Sequence, residues 1–499
     1  MAIFNLVRNT RVFFTTNVSA VDGTIPTSGA TFTNTNTFEL QVLDGFSFKQ
    51  GTQTANIQLK EAGNTPTRGQ RTFNTSLDPV DFSFSTYIRP KFAASAVQAE
   101  ERVLWNALMS AGNIDTTGLA LSTVAGFTRI INAAGVAAAS SDTVSFTCTS
   151  ANLTAAGIAV GDVTVVTGVT DTSGIKAQEW NTPAKLVSIT GTATACTGMT
   201  LAYLTAPAVS AGLVPSTAPT TLNLRTGAWS NQPTAGSTPV VGAYGMAHFG
   251  GSNKNQLQKF GVIFVVDGAI YAVDNCAMDQ AVIDFGLDSI AMVAWTGKGT
   301  ALRQLPSTAT LTGIPGVFAG AGNATGTALQ TVTDAQYITS KLSTLQLIAG
   351  IQGSGTAYTL ALTGGSLTIA NGITYITPSN LGVVNKAIGY FTGTRSITGT
   401  VTAYLKTGTN NSAQILSDIL AANAAETKFR LQVEVGGGSN AVRVEFDMDG
   451  CMLQVPTVET ADIISTTIGF TAQGTDSIIA NSAYDLANTN DMIIRYFSA

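Results

Sequence analysis

The sequence predicts a mainly β protein: two tandem β-sandwich or barrel domains, each with one flanking helix, plus an inserted small β domain. Three observations predict it. One segment recurs without a gap 175 residues further along the chain. Apolar residues mostly alternate at a period of two, and only two stretches keep convincing helical spacing. A chain of 499 residues also exceeds one ordinary core, so two to four domains are expected.

The repeat lays Cys276–Thr300 on Cys451–Thr475. Cys276 falls on Cys451, Ile283 on Val458, Asp284 on Glu459 and Trp295 on Phe470. Upstream, the apolar strand from Phe260 falls on the strand from Phe429, and each is followed by a turn, at Asp267-Gly268 and at Gly436-Gly437-Gly438. Earlier still, Asp81–Tyr87 resembles Thr398–Tyr404, both alternating and β-prone. A helix is expected after each of these. The first spans about 96–110 with a stripe of Val97, Leu104, Trp105 and Leu108. The second spans about 412–424 with Ile415, Leu416, Ile419 and Leu420, and Ser412 as its N-cap.

In the second copy the helix leads almost directly into Phe429, whereas about 140 residues intervene in the first. These read as an insertion, so the expected domains are 1–112 with 250–305, 113–249 inserted, a linker at 306–330, and 331–499. The insertion carries short β segments between Asp142 and Thr205 that suit a small antiparallel barrel or sandwich. The Pro-, Thr- and Ala-rich stretch from Ala206 to Gly242 reads as an extended connection.

Charged residues make up only 11% of the chain, against about 25% in an average domain. Low charge with 50 glycines suits surfaces that meet other protein surfaces. The net charge of −5 and the lack of any basic run argue against a groove that tracks phosphates. No run of 18 apolar residues and no basic-then-apolar leader occurs, so neither a membrane span nor a signal peptide is expected. Four cysteines without a C-x-x-C pair do not make a disulfide scaffold.

The strand at Asp81–Pro90 with its helix, the strand at Thr398–Thr407 with its helix, and the closing pattern from Phe446 to Thr475 resemble the bacteriophage tail tube (major tail) family. The resemblance covers about 300 residues and rests on the order of elements and its repetition, since no single motif is specific. It implies a structural virion protein whose sheets join around a ring into a β-barrel, with rings stacked into the conduit for DNA ejection. Two tube domains per chain imply a homotrimeric pseudo-sixfold ring. A homohexamer with one copy outside is the alternative. Implied partners are further copies of itself, then tape-measure, sheath, tail terminator and baseplate proteins, with DNA passing without sequence-specific binding. The implied place is the virion tail, assembled in the host cytoplasm. Phe38–Gly69 sits where the family places an inter-ring loop. A baseplate hub or distal tail protein, a surface-layer or adhesin protein, and a hydrolase are the competing readings.

No catalytic, cofactor or metal residue is expected. His248 is the only histidine and has no partner near it in sequence. Phe446-Asp447-Met448-Asp449-Gly450 begins like a calcium loop but lacks the closing ligands, so a hairpin turn is the better reading. Cys276 and Cys451 read as small buried hydrophobes in separate domains. The glycine runs at Gly353 and Gly436 lack the lysine and the helix of a phosphate loop. Glu100-Glu101 read as first-turn carboxylates favoured by the helix dipole.

Overall fold

A computed structural model describes residues 10–26, 32, 36–57, 71–93, 96–110, 119–130, 143–167, 183–203, 221–225, 227, 229–231, 244–249, 257–266, 269–286, 289–305, 337–349, 357–381, 385–421, 429–437, 441–459, 464–473 and 491–497. Strands make up 66% of it and helices are few and short. The expected linker at 306–330 and the glycine run at Gly353 lie outside the described residues.

The first copy opens with β1 (Thr10–Thr15), β2 (Thr37–Leu40), β3 (Ser47–Ile57) and β4 (Arg71–Tyr87). A hairpin of β5 (Pro90–Ala93) and β6 (Ala96–Ala99) then leads into α1 (Arg102–Met109). Seven strands follow: β7 (Leu119–Ser122), β8 (Ala125–Ile130), β9 (Thr143–Ala151), β10 (Val163–Thr167), β11 (Pro183–Thr192), β12 (Ala195–Tyr203) and β13 (Thr221–Arg225). The chain returns through β14 (Trp229–Asn231) and β15 (Tyr244–His248) to β16 (Phe260–Val266), β17 (Ala269–Gly286), β18 (Met292–Gly299) and β19 (Ala301–Leu305). The second copy holds β20 (Thr344–Ala349), β21 (Ala357–Leu360), β22 (Leu362–Ala370), a hairpin of β23 (Thr374–Ile376) and β24 (Gly389–Phe391), β25 (Ser396–Tyr404) and α2 (Ser412–Ala421). It closes with β26 (Phe429–Gly436), β27 (Arg443–Leu453), β28 (Thr457–Glu459), β29 (Ser465–Ala472) and β30 (Ile493–Phe497).

The repeat survives at the level of register. Phe260 faces Cys276, then Val262 faces Val273, so two residues of β17 oppose one of β16. Phe429 faces Cys451, then Leu431 faces Met448, which is the same bulge at the repeated position. In each copy the thiol after the bulge donates to the carbonyl three residues back, Cys276 Sγ to Val273 O and Cys451 Sγ to Met448 O. Asn275 takes a φ of 45° inside the first bulge, a conformation Asn tolerates better than most residues. Asp447–Gly450 therefore lies within a strand with a bulge and not in a hairpin turn, because β27 runs unbroken from Arg443 to Leu453.

Each copy is a two-layer sandwich. One layer runs β2-β1-β16-β17-β19 in the first copy and β21-β20-β26-β27-β30 in the second. The other layers join into one run of eight strands, β3-β4-β18-β17-β22-β25-β29-β28. The bulge lets β17 bend from one layer into the other. Apolar residues of both copies fill a single core cluster between the layers. β7 to β13 form a separate seven-stranded antiparallel sheet with its own core, whereas β14 pairs with β15, and β15 with β30, in the main sheet.

Three local expectations need correction. Ala96–Ala99 is a strand, because Val97 pairs with Phe92 across a tight hairpin, so the helix starts only at Arg102. Ser412 does not cap α2: its hydroxyl accepts from Lys406 N and donates to Tyr404 O, and Gln414 Oε1 takes the Asn410 N–H instead. The stretch from Ala206 to Gly242 is not merely an extended connection, since β13 and β14 lie in it. Of Phe38–Gly69, Phe38–Leu40 is in β2 and Ser47–Ile57 in β3, while 58–70 lies outside the described residues.

Candidate assembly edges and the buried seam

The register identifies which strands of the two copies correspond. The offset of 175 slips by two at β29: Met278 faces Gly297, whereas Leu453, which repeats Met278, faces Phe470. A shift of two keeps every side chain on its face, which is why periodicity did not reveal it. Gly297 faces Phe82 and Phe470 faces Gly399, so Phe82 corresponds to Gly399, where the sequence comparison also set it. Phe48 faces Phe82 and Leu367 faces Gly399, so β3 corresponds to β22. Likewise Ile283 and Asp284 at the end of β17 correspond to Val458 and Glu459 of β28.

These four strands occupy unlike positions. β17 and β22 pair with each other through Gln280–Gly286 and Gly364–Ala370, which joins the copies. Their counterparts β28 and β3 stand at the two ends of the eight-stranded run. Among the described residues β28 has only β29 beside it and β3 only β4. Val455, Val458 and Met452 are exposed along the β28 end, at 58%, 48% and 41%. Free strand edges with apolar side chains invite further pairing.

Between the copies lies a buried polar seam. Trp105 of α1 packs edge-on against Trp295, ring centroids 4.7 Å apart. Its indole N–H donates to Tyr496 O–H at 2.6 Å, and Tyr496 donates to Glu101 Oε1 at 2.7 Å. Burial raises Glu101 to about 7 and pushes the Tyr496 phenol well above its usual range. Glu101 Oε2 has no hydrogen-bond partner among the described residues. Glu100 pairs with the Arg89 guanidinium, and burial raises its carboxyl despite that partner. Both carboxylates therefore precede α1 and are buried. They are not first-turn carboxylates held by the helix dipole, because the β5–β6 hairpin delays the helix to Arg102 and folds them under β30. Nothing in the sequence marked this, since Tyr496 is 395 residues from Glu101.

The other weighed residues are spread apart. His248 is fully buried in β15; burial lowers it to about 4, and Nε2 has no hydrogen-bond partner among the described residues. Asp447 lies between the Arg430 and Arg495 guanidiniums, which hold its carboxyl below its usual range despite burial. All four cysteines are buried and free. Gly436 ends β26 with a φ of 123° that suits glycine at a turn. A concavity of about 520 Å³ is lined by Val21, Lys259, Asn275, Ile388 and Tyr390, and offers no acid–base pair. No group of three His, Cys, Asp or Glu residues that could hold a metal occurs among the described residues. No helix among them is long and apolar enough to cross a membrane.

With both edges and the duplicated unit placed, the comparison with known proteins is direct. The tail tube protein pb6 of Escherichia phage T5 is 23% identical over 483 residues, 96% of this chain and 75% of its own length. This chain is a relative of the phage tail tube proteins. The match spans both copies and the insertion. It supports a structural role in the phage tail as a virion component. No family model matches. A chain of the cryo-EM structure of the anti-feeding prophage (AFP) baseplate, 6-fold symmetrised, overlaps 26% of this tail tube relative and 87% of itself, at 6% identity and a TM-score of 0.21. That likeness is too slight to carry an argument.

Proposed function

We propose that this chain self-assembles by strand addition at its two free edges, closing into rings that stack into the tail tube through which DNA leaves. The observation that carries the reading is the equivalence of the free edges to a pair already made inside the chain. β28 corresponds to the end of β17 and β3 to β22, so β28 of one chain fits β3 of the next as β17 fits β22. The internal pairs Ile283–Leu367 and Val282–Thr368 then translate into Val458 opposite Phe48 and Thr457 opposite Lys49. Such a contact is heterologous, and it closes a ring when its rotation repeats the internal one. Because both copies share the eight-stranded run, three chains supply six near-equivalent wedges. This favours the pseudo-sixfold trimer over a hexamer with one copy outside. Closure also removes the exposed edges.

The proposed units are 1–112 with 250–305 and 331–499, with the β7–β13 sheet of the 113–249 insertion as an outward decoration, while β14 and β15 of that insertion belong to the main sheet. The return strands β14 and β15 join the layer that holds β30, on the far side of the sandwich from the eight-stranded run. Assembly in the host cytoplasm, and contacts with tape-measure, sheath, terminator and baseplate proteins, belong to the same reading.

The test is a cysteine pair, Lys49→Cys with Thr457→Cys, oxidised at assembling concentrations. Chain-to-chain bonds ending in a covalent closed trimer, with stacked rings in negative-stain microscopy, are expected. A monomer that never cross-links would sink edge addition. Single rings that do not stack would favour the hub reading.

A further inference from the structure

The face of the eight-stranded run turned away from the core has an unusual make-up. In the second copy, β22, β25 and β29 present Ser366, Thr368, Thr398, Thr400, Thr402 and Thr467 on that face and no ionisable side chain other than the phenol of Tyr404. Their neighbouring hydroxyls are paired across strands: Ser366 with Thr400 at 3.2 Å and Thr402 with Thr467 at 3.1 Å. The first copy continues the pattern with Ser47 and Ser83 at 2.8 Å. It adds charge chiefly in one row, where Asp81 stands directly between Lys49 and Lys298. Asp279 lines the same concavity as that row, Asp284 and, at the β28 edge, Glu459 complete the charged set among the described residues, and no arginine among them stands on the face.

Solubility does not explain this face. A solvent-facing sheet on a free protein is normally protected by interspersed Lys and Glu. Nor does polyanion binding, which needs clustered cations that release counterions. A strongly acidic face would repel a polyanion, yet the carboxylates here are few. We infer that this hydroxyl-covered face is the wall along which a hydrated polyanion moves, and that it lowers friction by offering neither clustered cations to hold phosphates nor enough anions to bar entry. Hydroxyls already bonded to each other compete weakly for phosphate oxygens and keep a water layer in place. The charge row of the first copy makes the wall threefold in character within a pseudo-sixfold ring. The inference rests on the proposed function, since only a closed ring turns this face into a wall.

The native cysteines are all buried, which makes single-cysteine reporters clean. Thr400→Cys reports the wall and Val160→Cys reports the inserted sheet, where Val160 is 51% exposed. Both are treated with a maleimide on a polymer too wide for a channel. In assembled tubes Thr400→Cys should react at least an order of magnitude more slowly than in the free chain, with Val160→Cys unchanged. Equal rates for Thr400→Cys would overturn the wall. In a second arm, labelled double-stranded DNA is offered to tubes at low salt. Wild-type tubes should retain none. Tubes of the Thr398→Lys, Thr400→Lys variant should retain it, with log affinity falling against log salt by about 0.9 for each phosphate that a lysine neutralises. Wild-type tubes that hold DNA as tightly as the lysine variant would overturn the hydroxyl mechanism alone. A wild-type chain that forms no tubes would remove the proposed function, and this inference with it.

Discussion

Helices α1 and α2 hold the same place in chain order in the two copies and meet different surroundings. Seven of the eight residues of α1 are buried, because the first copy covers one side and β15, β14 and β30 cover the other. In α2, Ile415 is buried in the core, Ile419 is only partly covered, and Ser417 is exposed. The same contrast holds for the sheet edges, paired at β17–β22 and free at β28 and β3. One junction is thus complete within the chain, and its repeat is half built. On the proposed function, covalent linkage of two wedges leaves each chain with one finished interface and one waiting for a neighbour.

The comparison breaks hardest at Trp105. Trp105→Ala removes a fully buried ring from the finished junction and should destabilise the chain by about 3–5 kcal/mol, read by denaturant unfolding. An effect no larger than that of Ile419→Ala would mean that the finished junction is no tighter than the open one.

Acidity probes the same seam from both directions. Glu101 is raised from 4.5 to about 7, so the fold favours its neutral form, and its contribution falls as pH rises from 4.5 through 7. The upper bound is roughly 3 kcal/mol. His248 is lowered from 6.5 to about 4, so stability falls as pH drops from 6.5 through 4. Glu101→Gln should flatten the neutral side of the stability profile and leave the acid side. An unchanged profile would show that Glu101 titrates normally.

Tyr496→Phe keeps the ring but leaves the Trp105 N–H and Glu101 Oε1 without a partner, at a loss of about 1–3 kcal/mol. Thermal unfolding with Trp105 fluorescence would follow it. The smallest effect is expected at Ile419→Ala, below about 1 kcal/mol in the free chain because the site is partly covered. Its cost should grow in assembled particles if α2 meets a neighbour. The same small value in both states would leave α2 outside the interface.

Much of the fold was legible in residues that keep their class at matched spacing. Cys276 with Cys451 and Phe260 with Phe429 marked a shared bulged hairpin. Trp295 and Phe470 marked its third strand. The seam was not legible. Val97, Glu100 and Glu101 fit a helical pattern, and a tertiary hairpin overrode it. His248 and Tyr496 carried no local signal, because what makes them unusual is burial by segments far away in the chain.

By itself the sequence determined the duplicated β unit, the placing of two helices and the low charge, since strand alternation and repeat spacing are local properties that each copy must satisfy alone. Only the tertiary structure decided which edges pair, where the carboxylates go and which face collects the hydroxyls. Those depend on the register between strands hundreds of residues apart, and a slip of two residues leaves the pattern of the sequence unchanged while moving every contact.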